Sequence, residues 1–173
     1  MTKPHRDSYA IVGELVLTSN ILDYLLAEVL IEFLDLGRSP MLMPVILTLD
    51  PARKIEILKE RAKRIDQPDW KKGVKSFVDE AERVFKYRNI ACHAQPTMDK
   101  GTWMLRPSAA AKLLKNIDVQ NKSIKGVSFD ELKTAISTAE AALRSGTNLI
   151  GIFKRANAER AKKDRGPLAA FAS

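Results

Sequence analysis

Apolar residues recur along this chain every three or four positions, the spacing of helices that bury one face. Val12, Leu15, Leu22, Leu26, Val29 and Phe33 form one such stripe, which predicts a first long helix capped by Ser8 and running to about residue 36, where Gly37 supplies a stop. Asp23 interrupts the pattern, because it shares a row with Ser19, Ala27, Leu30 and Leu34. Residues 38–49 hold Pro40 and Pro44 among Met41, Leu42, Met43, Val45, Ile46 and Leu47, and read as a short helical turn or covering loop. Asp50-Pro51 then starts a second helix to about residue 65, the acid as cap and the proline at the first helical position. Ile55, Leu58, Ala62 and Ile65 face inward, and Arg53, Lys54, Lys59, Arg61, Lys63 and Arg64 are assigned to an exposed basic face.

Gln67-Pro68-Asp69 separates that helix from a third, with Asp69 as its cap, which runs from Trp70 to Cys92 or His93 before Pro96 bars continuation. Residues 97–127 are the least regular stretch. Met98-Asp99-Lys100-Gly101 reads as a turn, Thr102 to Arg106 as a short strand, residues 107–116 as a helical turn and residues 119–127 as an extended piece, which together suggest a small β-hairpin. Ser128 and Glu131 form a capping box for the last long helix, whose face of Phe129, Leu132, Ile136, Ala139, Leu143, Ile150 and Phe153 continues to about Asn157. Gly146 and Gly151 weaken its second half in favour of close helix packing, and Gly166-Pro167 ends order. The expectation is an all-α fold, a four-helix up-and-down bundle with a decorated insert between helices three and four. Residues 1–157 make the single helical domain, and residues 158–173 a basic, disordered tail.

Composition narrows the class without naming a function. A chain of 173 residues fits one domain, and 45% hydrophobic with 29% charged residues belongs to an ordinary soluble globular protein. The single cysteine, Cys92, excludes an internal disulfide, and the first eight residues lack the apolar region of a signal peptide, so a reducing cytoplasm is expected. The apolar run over residues 15–36 carries Asn20, Asp23, Glu28, Glu32 and Asp35, too many polar groups for an expected membrane segment. No phosphate loop or dinucleotide fingerprint is present, and with only His5, His93 and one cysteine no metal site or cofactor is expected. The net charge of +8 favours a polyanionic partner. Much of it is terminal: Lys154, Arg155, Arg160, Lys162, Lys163 and Arg165 stand against Glu159 and Asp164. For that tail, as for the basic face of the second helix, a solvated surface and an RNA-tracking surface both remain open.

Candidate chemistry concentrates in Tyr87-Arg88-Asn89-Ile90-Ala91-Cys92-His93, where the third helix closes. With Arg88 at zero on an ideal helix, Asn89 lies at about 100° and His93 at about 140°, while Trp70, Phe77, Ala81 and Val84 fall within about 40° of it. Arg88 thus continues the buried stripe, with Asn89 and His93 as an i, i+4 pair on its flank. A guanidinium cannot lose its charge, so in such a place it needs a carboxylate or a phosphate to face. Asp23 has two readings: a carboxylate at the stripe's margin touching water, or the group that faces Arg88 and fixes its direction. Cys92 beside His93 invites a cysteine-nucleophile reading, but neighbouring helical residues diverge by about 100°, so Cys92 is read as a small core residue.

Arg88, polar Asn89, three further residues and His93, at the end of the third long helix, resemble the motif of the HEPN superfamily (higher eukaryotes and prokaryotes nucleotide-binding). That resemblance implies a small all-helical domain, and in many members a metal-independent endoribonuclease of toxin-antitoxin, abortive-infection or other defence systems. It implies Arg88, Asn89 and His93 as the active-site residues, with Asp23 in a supporting first-helix acidic position. The insert after Pro96 departs from the pattern and bears on substrate access.

The chemistry of the side chains agrees. Cleavage of RNA by its own 2′-hydroxyl needs a proton acceptor, a proton donor and a cation for the phosphorane charge; imidazole, with a reference pKa of about 6.5, suits either proton role and guanidinium suits the charge. One chain offers one histidine here, so a homodimer sharing a cleft would supply both. The alternatives are an inactive HEPN-like scaffold, with a nucleotidyltransferase-like antitoxin as its expected partner, and a nucleotide-binding regulator.

Overall fold

The computed structural model describes residues 6–107 and 126–165. It is mostly helical, with a small three-stranded sheet. The elements are α1 (Arg6–Phe33), two 3-10 turns (Leu36–Arg38 and Pro40–Leu42), α2 (Met43–Thr48), α3 (Pro51–Ala62), α4 (Pro68–His93), β1 (Ala94–Asp99), β2 (Thr102–Pro107), β3 (Val127–Ser128) and α5 (Phe129–Arg165). The chain divides into two compact units. One takes Met1–Ile21 with Glu80–Ala141, the other Leu22–Asp79 with Ala142–Ser173, so α1, α4 and α5 each contribute to both.

In the second unit the packing turns on Phe153 of α5. Its ring stacks on Phe33 of α1 at 4.9 Å and meets the edge of Trp70 of α4 at 5.8 Å. Asn157 Nδ2 donates to the Glu32 carbonyl at 2.8 Å, which also accepts from Asp35 N at 3.1 Å, so α5 is tied to the end of α1. Gly146 explains the approach of α5: a Cβ built there would lie 2.6 Å from Leu25 Cδ2 and 2.7 Å from Phe77 Cε2. Gly151 was expected to serve the same purpose and does not, since the nearest atom to its Cβ position is Arg155 Nη1 at 4.0 Å.

In the first unit α4 passes directly into β1, and the hairpin expected after Pro96 begins before it. Lys100 and Gly101, both at positive φ (48° and 82°), make the two-residue turn between β1 and β2, a geometry that matches strand twist. Pro96 sits on the edge strand β1 opposite Leu105, where a missing N–H is tolerated. Of the extended piece expected over residues 119–127, only its end is described; Val127 pairs with Leu105 as part of β3. The rest of that piece and the expected helical turn, beyond Pro107, lie outside the described residues. Gly126 is buried against β2, with a built Cβ 3.2 Å from Met104 Cβ.

Helix starts follow their signals in two cases. Asp50 Oδ1 accepts from Arg53 N at 2.9 Å, and the Ser128–Glu131 box closes with Glu131 N on Ser128 Oγ at 3.2 Å and Ser128 N on Glu131 Oε2 at 2.8 Å. Other ends move. Ser8 lies inside α1, Asp69 falls in the first turn of α4 rather than capping it, and α3 stops at Ala62. Asp35, at φ 54°, rather than Gly37, takes the left-handed position after α1, a conformation that Asp tolerates better than most residues. α5 is helical to Arg165, so residues 158–165, expected to be disordered, continue the helix.

Counted from Ser8, α1 is long and apolar enough to cross a membrane by length and composition, with hydropathy 1.5, against the expectation of none. That span, Ser8–Phe33, ends before Asp35 and still contains Asp23, Glu28 and Glu32. Its inner stripe of Leu15, Leu22, Leu26, Val29 and Leu30 is fully buried, the mark of a core helix, while Tyr9, Leu17, Ile21 and Tyr24 are exposed.

Replacing Gly146 by alanine forces Leu25 or Phe77 to move, and is expected to lower stability by about 1–3 kcal/mol in urea titration. Gly151→Ala is expected to be neutral or stabilising, by up to about 1 kcal/mol, from helix propensity alone. Equal effects at the two glycines would contradict the packing described.

Candidate active site at the end of α4

Phe77, Ala81 and Val84 of α4 are fully buried, and Arg88, one turn further on, is half-buried. Its Nη1 donates to Asn89 Oδ1 at 3.2 Å. Its Nε is buried and has no hydrogen-bond partner, the only buried side-chain nitrogen or oxygen in that condition among the described residues. A guanidinium nitrogen that has lost water and found no acceptor costs about 1–3 kcal/mol or more, and such a group calls for an explanation. An anion supplied from outside the chain would satisfy it.

His93 is the last residue of α4 and is exposed, with no hydrogen bond or ion pair among the described residues. Asn89 is exposed as well. Arg88 and His93 are separated by about 7.5 Å of helix rise. β1 starts at the next residue and is paired along its length, so the backbone that carries His93 is anchored on both sides. The arrangement therefore presents a half-buried guanidinium with a buried Nε, and an exposed imidazole without a partner among the described residues, on one helix end. Cys92, expected in the core, is exposed; the buried position of that last turn is taken by Ala91, at 8% exposure.

Asp23, read either as a carboxylate at the stripe's margin touching water or as the group facing Arg88, is partly exposed and is the counter-ion of Lys54. Lys54 Nζ donates to Asp23 Oδ1 at 2.7 Å and approaches the Asp23 carbonyl at 3.5 Å. Lys54 was assigned to the exposed face of α3 and is instead 1% exposed, the largest fully buried side chain in the molecule's described part. Sequence reasoning missed it because the neighbours Arg53 and Lys59 carry the same charge and the helical stripe alone does not separate them. The signal was Asp23 itself: an acid in a row with Ser19, Ala27 and Leu30, all essentially buried, requires a cation. Among the described residues no group of three or more His, Cys, Asp or Glu side chains is placed to hold a metal.

Comparison with known proteins leaves the site to be judged on its chemistry: no family model, curated protein or solved structure matches this chain.

The Lys54–Asp23 pair makes a direct prediction about stability. Asp23→Asn strands a buried ammonium, and because the Asp23 side chain is 34% exposed, water recovers part of the loss. The expected destabilisation is about 2 kcal/mol in urea titration, largely recovered when Lys54→Met is added. Additive losses in the double variant would show that the two do not act as a pair.

Proposed function

We propose that this protein is a metal-independent endoribonuclease of the HEPN kind, built on an up-and-down bundle of the four long helices α1, α3, α4 and α5. The observation that carries the reading is the buried, unpaired Nε of Arg88, one and a half turns before an unpartnered histidine. A phosphodiester supplies what Arg88 lacks: two oxygens in the plane of a guanidinium fork.

In this reading His93 accepts the proton of the RNA 2′-hydroxyl as that oxygen attacks the adjacent phosphorus. The O2′–P bond forms, the P–O5′ bond breaks, and Arg88 bears the charge on the phosphorane oxygens. A second His93, from the other copy in a homodimer, protonates the departing 5′-oxygen, leaving a 2′,3′-cyclic phosphate and a 5′-hydroxyl. Asn89 holds Arg88 through Nη1. Asp23 acts on the bundle through Lys54 and is a structural residue. The site would serve as an RNA-cleaving toxin or defence effector in the cytoplasm, restrained by a nucleotidyltransferase-like antitoxin.

Incubation of purified protein with total RNA in EDTA tests the proposal. Cleavage is expected to leave 2′,3′-cyclic phosphate ends and to fall about 10²–10⁴-fold in His93→Ala. Arg88→Lys keeps the charge but not the fork, and is expected to lose about 10²-fold or more. Thermal melts identify variants that remain folded. Undiminished cleavage by folded His93→Ala, or no cleavage by the parent protein, would overturn the assignment.

A further inference from the structure

The second unit holds an open cavity of about 280 Å³ lined by Phe33, Leu34, Asp35, Arg61, Arg64, Ile65 and Arg160. Three guanidiniums and one carboxylate meet there, so the lining carries a formal excess of two positive charges. Asp35 does not neutralise it: its Oδ2 is shared between Arg38 Nε at 3.2 Å and Arg160 Nη1 at 3.5 Å. Arg38 itself is spent on Asp164, whose Oδ2 accepts from its Nη1 at 2.9 Å; that hydrogen bond, and Asp35 after it, hold its pKa above the ordinary arginine value. Arg61 and Arg64 have no hydrogen bond or ion pair through their side chains among the described residues.

The backbone fixes these two arginines rather than leaving them to drift. Arg64 N bonds to the Arg61 carbonyl at 3.0 Å and Ile65 N to the Ala62 carbonyl at 3.2 Å, so both side chains leave from one closed turn at the end of α3. The opposite wall is set by Phe33, whose ring is stacked on Phe153. Like charges gathered at a concave surface repel unless an anion joins them, and guanidinium forks are matched in shape to phosphate oxygens. The apolar wall of Phe33, Leu34 and Ile65 adds room for more than a bare ion.

From this geometry we infer that the cavity is a phosphate-binding site, with Arg61, Arg64 and Arg160 holding the dianion of a free phosphate or a small phosphomonoester, and Phe33 and Ile65 flanking any body that bears it. The site is independent of Arg88 and His93, and stands whether or not those residues cleave RNA.

Isothermal titration of the full chain with adenosine 5′-monophosphate, inorganic phosphate and adenosine, at ionic strength held constant with chloride, tests it. The expected result is saturable binding of one equivalent of a phosphate-bearing probe and none of adenosine. The tighter of the two phosphate probes identifies the source: the monophosphate if the apolar wall contributes, inorganic phosphate if the arginines act alone. Arg61→Ala with Arg64→Ala is expected to weaken binding at least tenfold, Arg61→Lys with Arg64→Lys less, and His93→Ala not at all. Circular dichroism and melting establish that each variant is folded; these exposed side chains should tolerate replacement. No saturable binding of either phosphate probe, or binding unchanged in the folded double alanine variant, would overturn the proposal.

Discussion

A charge that cannot be titrated away must find an opposite charge, water or a ligand, and Arg88 meets that constraint at the end of a buried stripe. Two turns of α4 place Phe77, Ala81 and Val84 in the core, and the same periodicity sets the half-buried Arg88 one turn further on. Asn89 absorbs one donor, and Nε remains without an acceptor. The continuity of α4 with β1 keeps the segment from relaxing the strain by fraying, because the strand that follows His93 is tied to β2 and through it to β3. A cost built into a well-anchored segment is the physical basis for reading the helix end as a site.

Several other charges of the described residues are paired. Lys54 is buried as completely as any leucine and is paired at 2.7 Å; Asp35 is shared by two arginines; Asp99 and Arg106 meet across the hairpin at 2.6 Å. By contrast, Arg88 Nε is buried without a partner, and the unengaged Arg61 and Arg64 share one cavity. We propose that both hold a phosphate, one as part of a scissile backbone and the other as a bound anion.

Most helices were legible in the sequence because their stripes are long and their caps specific: Asp50-Pro51 and Ser128 with Glu131 start α3 and α5 where expected. The ends were less legible. Asp35 replaced Gly37 as the left-handed residue because an acid there gains Arg38 and Arg160 as partners, a tertiary benefit that local propensity does not contain. Lys54 and Asp23 show the same limit at the candidate site. The sequence marked Asp23 as anomalous, but the choice between Arg88 and Lys54 as its partner depends on how α1 and α3 meet, which periodicity leaves undetermined. Arg88, Asn89 and His93 could be placed relative to one another because they lie on one helix, where spacing alone fixes direction.

The central claim is that Arg88 Nε is a phosphate contact. Side-chain ¹⁵N NMR of the arginine Nε–Hε groups tests it directly, with an RNA oligonucleotide whose 2′-hydroxyls are methylated so that it binds without being cut. The account predicts that the Arg88 resonance, assigned from its loss in Arg88→Lys, moves and gains protection from solvent exchange as the oligonucleotide is added. An Arg88 resonance that stays in place while the oligonucleotide binds elsewhere would contradict it.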